Sequence, residues 1–212
     1  MDELEFLKKD WKKQGADFPK LTYNEIYKLI QRKSSSIVKW IFIICVAEFL
    51  FWGLISICIP ESTFAIYEKF NLKTFLFVTQ ILYYIVVIIF IYLFYKNYKT
   101  ISVVDNTGLL MKNILKTRKT VNYYVYINII LYILLTIILN AVMFSHPDIL
   151  IENIMPKNTT LDNDKFLMVM IVVQILVLLA MCGLIWLYYR IIYGILLKKL
   201  NRNYKELESL EV

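Results

Sequence analysis

One histidine, three cysteines, four prolines and five glycines are all that 212 residues contain of these types. Each shortage excludes something. So few glycines and prolines cannot supply the many turns of a β-barrel. The cysteines, Cys45, Cys58 and Cys182, include no CxxC pair and lie in or beside apolar runs. They indicate neither a disulfide framework nor a zinc site and read as small apolar side chains. A single histidine, His146, cannot build a four-histidine iron site, and beside Pro147 and Asp148 it reads as a solvated loop residue. HExxH, GxSxG and a glycine-rich phosphate loop are missing, and no Ser/His/Asp set can assemble among the apolar runs. No cofactor and no metal are expected, and the chain does not read as an enzyme.

What it has in quantity is apolar sequence, 59% by residue. The stretch from Ile37 to Ile59 is almost wholly apolar and long enough, at 1.5 Å per residue, to cross a hydrocarbon core of about 30 Å. Three similar runs follow, so the expected fold is all-α and polytopic, with four transmembrane helices at about 37–59, 74–95, 121–144 and 166–190. The last run stays apolar to about Leu197, which makes 37–197 a four-helix bundle. Basic residues crowd its flanks: nine up to Lys39, six between Lys96 and Thr120, and five from Arg190 onward, against two in each of the other connections. By the positive-inside rule both termini are cytoplasmic, with Trp40 and Trp186 at the cytoplasmic interface. The net charge of +7 is explained this way, and direct nucleic-acid binding is not expected.

Residues 1–36 form a mixed-charge segment that does not resemble a cleaved signal peptide, so the first span is expected to act as a signal-anchor. Within it Leu4, Leu7 and Trp11 share one face of an amphipathic helix, which Gly15 and Pro19 end. Thr22–Glu25 has the form of a capping box opening a second helix. Ser34, Ser35 and Ser36 either hinge that helix or let it run straight into the first span; the residues leave both open. Cytoplasmic extensions are expected on the third and fourth spans. Leu110, Ile114, Val121 and Tyr124 make one stripe, and Tyr193, Leu196, Leu200, Leu207 and Leu210 make another that runs into the tail, 198–212.

One acid interrupts the spans. A carboxyl group at mid-bilayer costs about 2.5–3.5 kcal/mol even on the permissive insertion scale, so Glu48 must face the bundle and find a partner. Gln80, Thr136, Asn140 and Gln174 stand at compatible depth and define an expected polar layer, in which Glu48 donates a hydrogen bond to one of the amides. Such a layer serves either as a clasp between helices or as a proton or cation site. The clasp is favoured, because one acid without a relay of others makes a poor transport path. The tyrosines Tyr83, Tyr84, Tyr123, Tyr124, Tyr126, Tyr188 and Tyr189 read as interfacial belt and helix packing.

The segments MDELEFLKKDWKKQ, LTYNEIYKLIQRKSSSIVKWIFII and NTGLLMKNILKTRKTVNYYVYIN resemble a family of small four-span inner-membrane proteins of flavobacteria and their relatives. Genes of that family often neighbour those of extracytoplasmic-function sigma factors, so the resemblance implies an anti-sigma or related regulatory role. The expectation is therefore a bacterial inner-membrane regulatory or scaffold protein. Its partners would be the bilayer and a soluble cytoplasmic protein, a sigma factor on the resemblance, captured through Leu4, Leu7 and Trp11. The alternative is a small transporter or an accessory subunit of a membrane complex, built on the Glu48 layer.

Overall fold

The computed structural model of the chain describes residues 22–155 and 162–211, and these are helical almost throughout. The face with Leu4, Leu7 and Trp11 lies outside the described residues. Helix α1, Tyr23–Cys58, opens on the capping box. The Glu25 amide donates to Thr22 Oγ1 at 3.4 Å, and the Thr22 amide donates to a Glu25 carboxylate oxygen at 2.8 Å. From there it runs 36 residues, about 54 Å, without a break. Ser34–Ser36 are therefore helical and form no hinge, and residues 23–36 run straight into the first apolar run as one helix.

After Pro60 the chain makes a single 3₁₀ turn, Glu61–Phe64, and a five-residue helix, α2, Ala65–Lys69. Asn71 then takes φ 55°, a left-handed conformation that asparagine tolerates better than most residues, and reverses the chain. Helix α3 spans Lys73–Ser102. Helix α4, Thr107–Phe144, is capped by Asn106, whose Oδ1 accepts from the Leu109 amide at 3.1 Å. A short helix not foreseen from the sequence, α5, covers Pro147–Ile154 with its proline in the first turn, where no backbone donor is needed. Helix α6, Asn163–Glu211, is 49 residues long and carries the fourth apolar run on through residues 198–211 as one helix.

The four long helices form a ring in which α1 and α4 each pack against both α3 and α6, and α1 faces α4 across the centre. Buried positions follow a three-and-four spacing on each helix: Tyr27, Ile30, Ser34, Val38, Ile41, Cys45 and Glu48 on α1, and Leu110, Ile114, Thr117, Val121, Tyr124 and Asn128 on α4. This is the seam of a supercoiled bundle.

Burial is unequal along the bundle. At the end rich in Lys and Arg, Tyr27, Ile30, Val38, Ile101, Leu110, Ile114, Leu200 and Leu207 form one closed core. Leu110 and Ile114 of one stripe thus meet Leu200 and Leu207 of the other. A second cluster, around Ile41, Cys45, Phe90, Phe94, Val121, Tyr124 and Tyr193, makes the waist. At the far end Phe70, Leu72 and Leu150 fasten α2 and α5 to the bundle. Toward the far end little of the apolar surface is covered: the most apolar windows of α1, α3, α4 and α6 are only 17%, 11%, 6% and 0% buried. Four helices this long and apolar, with such surfaces uncovered, fit a lipid environment and not water. Lipid solvates an apolar side chain as well as another helix does, so no hydrophobic force closes the bundle there. A closed apolar core such as the one at the basic end is what water drives, at about 1.5–3 kcal/mol per large apolar side chain.

Polar pairs tie the closed end together. Asn203 on α6 donates to the Ser34 hydroxyl on α1 at 2.9 Å, with both residues buried. Arg118 on α4 donates to Asn201 on α6 at 2.7 Å, and Asn97 on α3 donates to Thr120 on α4 at 3.2 Å. The Tyr27 hydroxyl donates to the Val104 carbonyl at 2.7 Å and pins α1 to the α3–α4 turn.

Candidate functional site

Glu48 is carried inward by the α1 seam, three residues after Cys45, and is 7% exposed. Both of its oxygens accept a hydrogen bond from a phenol. Tyr124 on α4 donates to Oε2 at 2.7 Å, and Tyr188 on α6 donates to Oε1 at 2.8 Å. The carboxyl group thus joins three helices at the waist.

The ring of Tyr124 is fixed in turn. Phe90 and Phe94 on α3 meet it edge-on at centroid distances of 5.2 and 5.7 Å, and Tyr189 and Tyr193 on α6 approach to 5.9 Å each. Asn128, one turn further along α4, donates its amide to the Tyr124 carbonyl at 2.7 Å. Aromatic edges packed on this ring let the hydroxyl point in one direction only. Tyr193 lies in the same cluster, 1% exposed, and turns its hydroxyl toward Glu48 without reaching hydrogen-bond geometry; that oxygen has no partner among the described residues. Cys45 fills the space beside it.

The expected polar layer is not assembled. Gln80 is exposed on α3, and Gln174, half-buried on α6, makes no side-chain hydrogen bond among the described residues. Thr136 donates to the Tyr132 carbonyl at 2.8 Å, and Asn140 donates to the Thr136 carbonyl at 2.8 Å, so both are satisfied by their own helix. An amide or hydroxyl on a helix reaches the carbonyl one turn back without crossing to a neighbour. Glu48 is also an acceptor from phenols, not the expected donor to an amide. The sequence reads Tyr124 and Tyr188 as interfacial belt and helix packing; the signal for Tyr124 as inward-facing is its place in the Leu110–Ile114–Val121 stripe.

Tyr188 stands two residues before Arg190, whose guanidinium lies over the Trp186 ring at 4.7 Å. His146 is exposed, with Nδ1 2.9 Å from the Ser145 hydroxyl. Among the described residues no group of three or more His, Cys, Asp or Glu side chains is placed to hold a metal ion.

A family model described as a domain of unknown function, DUF8845, matches residues 24–212. The chain belongs to that family. The match begins at the first turn of α1 and takes in every long helix, so the four-helix bundle is the family's domain. No curated protein and no solved structure matches the chain.

Proposed function

We propose that this DUF8845 protein is a membrane-anchored regulatory or scaffold protein of a bacterial inner membrane. Both termini are cytoplasmic, and the basic end of the bundle presents the N-terminal segment to a soluble partner. The observation that carries this reading is the closed core at the basic end. The helices continue several turns past the apolar windows, and there they are packed and cross-tied more tightly than within the spans. A rigid platform outside the bilayer is what a docking protein needs and what a bare anchor does not. The orientation rests on the distribution of Lys and Arg. The partner class, an extracytoplasmic-function sigma factor, rests on the resemblance of the sequence, and Leu4, Leu7 and Trp11 are the capturing face.

A pull-down of tagged protein from native membranes tests it, beside a variant lacking residues 1–21. That deletion spares the Thr22 cap and the buried Tyr27 and Ile30, so the platform stays folded. A soluble protein lost with the deletion supports the reading, and membrane proteins alone refute it.

The Tyr193 hydroxyl beside Glu48, without a partner among the described residues, favours a second reading, a small transporter or accessory subunit that binds a proton or cation at the waist. Glu48→Gln separates the two: flux is abolished under this reading, and partner binding is untouched under the first.

A further inference from the structure

Between α1 and α3 at the basic end lies a cavity of about 360 Å³. Arg32, Ser35, Ser36 and Lys39 line it from α1, and Tyr98 and Ser102 from α3. Gln31 closes its inner wall, with its amide tied to the Val104 and Ile101 carbonyls. The α1 residues share a face because seven positions are close to two helical turns. Arg32 and Lys39 stand about 10 Å apart with the two serines between them.

The lining is two cations and four hydroxyl groups, with no acid. Neither Arg32 nor Lys39 forms a salt bridge among the described residues. Spread cations with hydroxyls between them form the donor set that a phosphate group takes. The position narrows the ligand further. Lys39 is the last charged residue before the apolar run of α1, and Trp40 follows it. One turn on from Lys39, Phe42 packs against Tyr95 at a centroid distance of 5.9 Å. The groove between α1 and α3 therefore changes from cationic to aromatic and apolar as it passes into the membrane-crossing part of the bundle. A free phosphate uses the first half only; a phospholipid uses both.

We propose that this cavity binds the phosphate headgroup of an anionic membrane phospholipid, with the acyl chains lying along Phe42 and Tyr95. The site is distinct from the Glu48 cluster and independent of the docking role proposed above. It differs from general attraction of lipid to a basic surface in predicting that location matters, not charge alone.

Native mass spectrometry of the full chain in detergent, with phosphatidylglycerol or phosphatidylcholine added, tests this. One phosphatidylglycerol is expected to be retained per chain in preference to phosphatidylcholine. The double variant R32Q/K39Q weakens that retention about tenfold, and K116Q/K119Q, which removes the same charge elsewhere on the basic end, leaves it unchanged. All four side chains belong to exposed residues, so the bundle survives both pairs. Ser36→Phe fills the cavity with charge intact and also abolishes retention. Equal losses in the two charge pairs, or equal retention of both lipids, overturn the proposal. Displacement of the lipid by millimolar inorganic phosphate overturns it too, since the cavity then takes a free anion.

Discussion

Tyr124 donates its phenolic hydrogen to Glu48 across 76 positions of sequence, at 2.7 Å and in a buried setting. The bond joins the two diagonally opposed helices of the bundle, which otherwise touch little. Tyr124→Phe keeps the ring and its contacts with Phe90 and Phe94 and removes only this bond. The expected loss is about 1–2 kcal/mol of stability, because a buried acceptor is left unmet. Tyr188, 42% exposed, donates to the other oxygen in a part-buried setting, and Tyr188→Phe is expected to cost less, roughly 0.5 kcal/mol, since this bond stands nearer the bundle surface. Unfolding of both variants in detergent checks the order. A larger effect at Tyr188 contradicts the geometry.

Ser34 and Asn203 make the corresponding prediction at the closed end. Ser34→Ala removes the acceptor and strands the Asn203 amide in a site where the two residues are 0% and 3% exposed. The cost is about 1–3 kcal/mol, the desolvation penalty of an unmet buried donor. Ser34→Ala combined with Asn203→Leu replaces both polar partners and is expected to be more stable than Ser34→Ala alone. Additive losses in this double-mutant cycle show that the two side chains do not interact.

How far these relationships can be read from sequence depends on the range of the physics behind each. The stripe Leu110–Ile114–Val121–Tyr124 and the step from Cys45 to Glu48 are local periodicities, and the structure buries all of them. The Thr22–Glu25 box is local too, and it is formed. Whether Ser34–Ser36 break the helix was undecidable, because serine propensity opposes continuation and only Asn203, 169 positions away, rewards it. Helix α5 was missed because eight residues in a charged connection are too few to show a period. The partners of Glu48 lie beyond that range, because compatible depth along a span does not say which side chains cross to a neighbouring helix. Thr136 and Asn140 reach their own backbone instead, and the groups that reach Glu48 are tyrosines long enough to cross between helices.

The N-terminus of α1 carries a pH-dependent contact. Backbone and side-chain hydrogen bonds from Thr22 hold the Glu25 carboxyl below the usual carboxylate range. Because the folded value is the lower one, the contribution is complete above the unfolded carboxylate value and is lost as pH falls through the folded value. Hydrogen exchange at the Glu25 and Ile26 amides is expected to speed up on acidification through that window, beyond its intrinsic pH dependence. Glu25→Gln removes most of this extra response. A response that persists in Glu25→Gln assigns it to another group.

The cysteines offer a test of packing and orientation together. Cys45 is 0% exposed within the waist, whereas Cys58 is exposed in the last turn of α1, two residues before Pro60. Maleimide needs an accessible thiolate, so the variant that keeps only Cys45 is expected to resist labelling in detergent until it is denatured. The variant that keeps only Cys58 labels readily. On intact spheroplasts the orientation decides the outcome. With the basic end in the cytoplasm, Cys58 faces outward, and a membrane-impermeant maleimide reaches it without lysis. Labelling of Cys58 only after the membrane is opened reverses the orientation and removes the platform from the compartment where a sigma factor works. The lipid proposal survives that outcome, because the cavity sits at the basic boundary on whichever side that boundary faces.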